Sequence, residues 1–199
     1  MELSPLAREK LAKIGEMSAS EKEKLKLSEE LTSLLSDYFT DKLNADALWI
    51  RLKKFKEDGR EFMIKETQLR LISAISLGGS KVDFERCRSG IMGSETLKEQ
   101  NRYPELEINL KSMENLRQQY QQEKDATFSS MKANIQGQVK MAAQQLARQA
   151  GKQRVAVDVE GSAEASVRAS PQWRDFILKH EKTYGSRFDD LAAKLKRLL

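Results

Sequence analysis

With one cysteine, one histidine and three prolines in 199 residues, the chain is short of the residues that most chemistry needs. A lone Cys87 makes no internal disulfide, and although it stands between Arg86 and Arg88 it reads as a packed side chain. Metal sites need several histidines, cysteines or convergent carboxylates, and His180 lies far from Cys87. The neighbouring pairs Glu29-Glu30 and Asp189-Asp190 point in different directions on a helix. No metal and no cofactor are therefore expected. A hydroxyl or thiol nucleophile needs a base, and His180 is the one histidine. It falls among Phe176, Ile177 and Tyr184, so it reads as a helix-seam residue, and the chain is not expected to be an enzyme.

Long apolar runs are missing too. None approaches the roughly 20 residues that cross a bilayer, and the chain opens on no secretory leader pattern, so a cytoplasmic protein without a membrane partner is expected. Glycine-rich phosphate loops fare no better. Gly78-Gly79-Ser80-Lys81 lacks the upstream glycine of a P-loop, and Gly90-Ile91-Met92-Gly93 has no flanking strand–helix–strand pattern. The formal charge is +5, from 35 cations and 30 anions, and no block of five like charges occurs. Runs such as Glu21-Lys22-Glu23-Lys24 describe a mixed, solvated surface. Lys194, Lys196 and Arg197 end the last helix, where cations complement the helix dipole.

What the chain has is helix. From Pro104 to about Ala150 no proline interrupts an apolar stripe stepping by three and four. Leu106, Leu110, Met113, Leu116 and Tyr120 begin it; Phe128, Met131, Ile135, Val139, Ala142 and Leu146 continue it. At about 1.5 Å per residue such a helix spans roughly 70 Å, too long for one small globule to bury. Lys124 falls where the stripe expects an apolar side chain, a device that can set register. The many glutamines interleave with helix formers and read as a solvated face.

Upstream, residues 1–77 are expected to form a helical bundle: a short helix over 5–17 capped by Ser4, then helices over 19–43, 45–57 and 60–77. Ser18 with Glu21 has capping-box spacing, and Asn44 or Asp46 can cap the next helix. Trp49 reads as core. Residues 78–103 read as a linker with a weak helix, because Gly90 and Gly93 oppose one. Downstream, Gly151 suits a helix stop, and residues 154–160 alternate valine with polar side chains as a short strand does. Residues 161–169 read as a flexible loop. Ser170-Pro171 then opens a last helix with Trp173, Phe176, Ile177, His180, Tyr184, Phe188, Leu191 and Leu195 on one face. The expected fold is all-α. Residues 104–199 form a long antiparallel, coiled-coil-like hairpin with the strand at its tip, able to pair with a second copy.

In the C-terminal half a Gln- and Ala-rich helix leads into Val157-Asp158-Val159-Glu160, then Pro171-Gln172-Trp173, then an amphipathic helix with Tyr184. This order resembles a family of uncharacterised bacterial helical proteins, classed as a domain of unknown function. The resemblance implies no activity and carries over no functional residue. The reading is a non-enzymatic oligomerisation or adaptor protein, a homodimer or one half of a complex with another protein. Its interaction seam would set Phe128, Met131, Ile135, Val139 and Leu146 against Trp173, Ile177, Tyr184, Leu191 and Leu195. Replacing Ile135 and Leu191 by Asp would then break the hairpin. The alternative is a nucleic-acid-associated protein using its basic outer faces, with affinity that falls steeply with salt.

Overall fold

A computed structural model describes residues 18–150 and 159–199. The expected helix over 5–17 with its Ser4 cap, the Gly151 stop and residues 154–158 of the expected strand lie outside the described residues. Seven helices and no strand occur among the described residues, so the fold is all-α. They are α1 (Ala19–Phe39), α2 (Ala45–Glu57), α3 (Phe62–Ala74), α4 (Lys81–Glu95), α5 (Tyr103–Ala150), α6 (Val159–Ala169) and α7 (Pro171–Leu198). They sort into two compact units. Helices α1–α4 with the chain up to Tyr103 make one; Ile75–Ser80 and Pro104–Leu198 make the other.

In the first unit, local chemistry fixes the helix starts. Ser18 accepts the Glu21 N–H at 3.2 Å, and the Glu21 carboxylate accepts the Ser18 N–H at 2.8 Å, closing a capping box. Asn44 caps α2 by accepting the Ala47 N–H at 2.8 Å. Leu31, Leu35 and Tyr38 of α1, Leu48, Leu52 and Phe55 of α2, and Met63, Ile64, Leu71 and Ile72 of α3 are all buried. The turn after α1 holds Asp41 at φ 60°, and Arg86 of α4 ties it down by donating to the Phe39 carbonyl at 3.2 Å and pairing with Asp41.

The expected linker over 78–103 is corrected: α4 is a 15-residue helix at the heart of this unit, with Phe84, Cys87, Gly90, Ile91 and Met92 buried. Its glycines cost helix propensity, about 1 kcal/mol each relative to alanine. Burial of the large side chains outweighs that cost, and Gly90 has a use. A Cβ there would stand 2.7 Å from Leu71 Cδ1 and 3.3 Å from Tyr38 Cε1, so the missing side chain lets α4 approach α3 and α1. The Tyr38 hydroxyl donates to the Arg86 carbonyl at 2.7 Å, and burial pushes the phenol up to about 12. At Gly93 a Cβ would meet nothing within 4 Å. The two glycines should therefore answer an alanine with opposite signs. Gly93→Ala is expected to stabilise by about 0.5–1 kcal/mol. Gly90→Ala is expected to destabilise, since about 1–3 kcal/mol of overpacking exceeds the propensity gained. Urea denaturation of both variants checks this, and equal shifts would refute it.

The second unit is built on α5, a helix of 48 residues. Arg117 fastens the Ile75–Ser80 loop to it, donating through Nε to the Ser76 carbonyl at 2.9 Å and through Nη2 to the Gly79 carbonyl at 2.6 Å. Ser170 caps α7 by accepting the Trp173 N–H at 3.1 Å, with Pro171 in the first turn where its missing N–H costs nothing. Two expectations fail between α5 and α7. Residues 161–169 are not a loop, and Val159 and Glu160 are not strand; both belong to α6. The small residues that read as flexible are what lets this helix sit close. Ala163 and Val167, four apart, are fully buried, while Glu160 and Glu164, also four apart, face Lys132 of α5.

Candidate interaction surface

Ring contacts and ion pairs within the second unit set the register between α5 and the returning helices. Tyr120 stacks on His180 with centroids 4.8 Å apart and meets the edge of Tyr184 at 5.7 Å. Eight residues further along α5, Phe128 meets Trp173 edge-on at 5.1 Å. Four residues on, Lys132 pairs with Glu164 at 2.6 Å and Glu160 at 3.0 Å. Partner numbers fall as α5 numbers rise, so the helices run antiparallel. On α7 the rings of Trp173, Phe176, His180 and Tyr184 follow each other at 5.4, 4.9 and 4.6 Å, the three- and four-residue steps of a single helix face.

His180 sits inside this ladder, 7% exposed. Its Nε2 lies 3.0 Å from the Tyr120 carbonyl, which can only accept, so Nε2 carries the proton and donates. Its Nδ1 is 3.7 Å from a Glu123 carboxylate oxygen. A hydrogen bond to Glu123 pushes the Tyr184 phenol above its ordinary range. Lys124, the polar residue in the stripe, holds its ammonium 5.5 Å above the Tyr120 ring, a cation–π contact. Hydrogen bonds to Glu164 and then Glu160 raise the Lys132 ammonium, and the Glu164 carboxyl is lowered in return. These groups position helices. They assemble no nucleophile with a free base, and no group of three His, Cys, Asp or Glu side chains suited to a metal occurs among the described residues.

The ten seam residues read from the sequence divide accordingly. Phe128 and Trp173 meet; Tyr184 and Leu195 are buried, at 5% and 0% exposure. Ile177 and Leu191 are part-buried on α7. Met131, Ile135 and Val139 are part-exposed on α5, and the Leu146 side chain lies outside the described residues. Ile135 and Leu191 are not opposite each other. Leu191 shares a groove of about 460 Å³ with Leu116, Ser112 and Gln119, near the other end of the pairing. Periodicity shows which face a residue occupies and not how far along its partner stops. The Lys132 clasp was missed for a related reason: its two carboxylates sit in a segment that reads as loop.

Along the α5 stripe, exposure changes sharply. Leu106, Leu110 and Met113 are at 0%, and Leu116 and Tyr120 at 4%. From Phe128 to Val139 the stripe is part-exposed, and Ala142 is exposed. Among the described residues, Lys132 is the last α5 side chain tied to another helix by an ion pair or ring contact. No described helix is long and apolar enough to cross a membrane. No curated protein and no solved structure matches the chain. A family model does, over residues 49–197, from α2 nearly to the end of α7. The chain belongs to that family, the family of unknown function DUF6657.

Proposed function

We propose that this protein is a non-enzymatic helical interaction protein, an oligomerisation module or adaptor that presents the far end of α5 to another helix in coiled-coil fashion. The carrying observation is the change along one continuous stripe, from fully buried at Leu110 to part-exposed at Ile135 and Val139. Lengths supply the cause. At about 1.5 Å per residue α5 is roughly 72 Å long and α7 roughly 42 Å, so α7 alone cannot cover it. A stripe that stays apolar past Lys132, the last α5 side chain among the described residues tied to another helix by an ion pair or ring contact, is the ordinary mark of a docking face. The setting is the cytoplasm, in keeping with a lone cysteine that is buried, and the partner is a second copy or another protein.

Photo-crosslinking in cells tests this reading. Gln138 is exposed and lies three residues from Ile135, on the same side of the helix. A photoreactive residue there should give one discrete adduct, lost when Ile135 and Val139 are both changed to Asp. The same probe at exposed Ile50 of α2 serves as the control. No adduct at residue 138, or one unaffected by the double change, would remove the reading.

A further inference from the structure

His180 is the one histidine of the chain, and the groups around it suit a doubly protonated ring. Nε2 faces the Tyr120 carbonyl at 3.0 Å, and Nδ1 faces a Glu123 carboxylate oxygen at 3.7 Å. Both of these groups accept and neither donates. A neutral imidazole carries a single N–H, so either tautomer leaves a bare nitrogen turned toward an acceptor. The imidazolium carries two and serves both. Its ring faces are answered as well. Tyr120 and Phe176 stack on it with centroids 4.8 and 4.9 Å away, and aromatic faces attract a cation.

We propose that His180 and Glu123 form a proton-operated latch on the α5–α7 pair, in which a proton taken up at Nδ1 adds a hydrogen bond from α7 to the Glu123 carboxylate of α5. The Glu123 side chain is 59% exposed, so it has room to close the distance. Burial of the ring opposes the charge, and a buried charge persists where it is paired and hydrogen-bonded. Two cations oppose it too. Lys124 of α5 lies over the Tyr120 ring and Arg187 of α7 over the Tyr184 ring, each 5.5 Å from the centroid, and both reach solvent, which screens them. Tyr184, 4.6 Å from the imidazole, stays neutral, because its hydrogen bond to Glu123 pushes the phenol up. A proton held by an added bond in the folded chain stabilises that fold below the titration of free histidine, about pH 6.5. The gain is lost as pH rises through the titration in the folded chain. The α5–α7 pairing is therefore firmer on the acid side of neutrality.

Nitrogen NMR and hydrogen exchange of the full-length chain test the latch. With one histidine, the ring-nitrogen signals belong to His180 alone. At pH 5.5 both nitrogens should carry a proton. The α7 amides, once intrinsic exchange rates are divided out, should open about three- to tenfold less often there than at pH 7.5. Glu123→Gln is the deciding variant. At so exposed a position it leaves the packing in place, and its amide N–H can donate to a neutral Nδ1. The neutral ring is then satisfied on both sides, so the response to pH should disappear. A ring with a single proton at pH 5.5 overturns the latch. So does α7 protection that ignores pH, or a response undiminished in Glu123→Gln.

Discussion

Glu95→Ala is expected to cost the N-terminal unit about 3–5 kcal/mol, the range for stripping one member from a buried, hydrogen-bonded charge pair. Glu95 is 1% exposed. One oxygen accepts from the Lys98 ammonium at 2.8 Å and the Gln68 amide at 2.7 Å; the other accepts the Arg102 N–H at 2.7 Å. Gln68 is itself fully buried, and its amide also donates to the Ile91 carbonyl at 3.3 Å. Deleting the carboxylate takes a shared acceptor from three donors in one place. The pH dependence follows from the same geometry. Burial pushes this carboxyl upward, but the Arg102 N–H, Lys98 and Gln68 together outweigh burial and hold it below its ordinary 4.5. A lowered carboxyl contributes stability that is complete above the unfolded value and is lost as pH falls through the folded one. The gap between wild type and Glu95→Ala should accordingly be full at pH 7 and close progressively below about pH 4.5. Hydrogen exchange of the α4 amides, read at both ends of that range, measures it in this unit alone. An undiminished gap at pH 3 would mean that the carboxylate is not what holds α4 to α3.

Helices announce themselves in a sequence when one face is large and apolar and the ends carry their own caps. That is why α5 and α7 were legible almost to the residue: Tyr103-Pro104 and Ser170-Pro171 mark their starts, and bulky residues stepping by three and four mark their faces. Helices α4 and α6 failed the same reading for one shared reason. Their contact faces include Gly90, Ala163 and a single valine, all buried, and at Gly90 a larger side chain would hold the neighbour away. Smallness is ambiguous in a sequence. It means looseness where nothing packs and closeness where something does, and only the neighbour decides.

The candidate surface shows a second limit. Stripe residues Phe128 to Val139 look equivalent in sequence, yet Phe128 has a ring against it and Ile135 lies beyond the last ion pair. What separates them is where the returning chain begins, at a helix that composition did not disclose.

Tyr120→Ala should be the most damaging single change in the second unit, at about 3–5 kcal/mol, the cost of truncating a large buried aromatic. Tyr120 is 4% exposed, and three dependencies converge on it. Its ring carries the His180 stack and the Tyr184 edge, its face receives the Lys124 ammonium, and its carbonyl accepts from His180. Truncation leaves the carbonyl in place but removes the surface against which the imidazole is held. The last of these contacts should then loosen along with the ring contacts. Trp173→Ala makes a fair comparison, because that indole is part-exposed and its loss opens no enclosed space. It should cost appreciably less, although it removes more side-chain volume. A double-mutant cycle between Tyr120→Ala and His180→Ala isolates the stacked pair, with a coupling of about 0.5–1.5 kcal/mol expected. Hydrogen exchange of α7 reads all three variants. Were Trp173→Ala to prove the more harmful, or Tyr120 and His180 to behave additively, the α5–α7 pairing would be held by its outer rim, and the register inferred from the ring ladder would have to be abandoned.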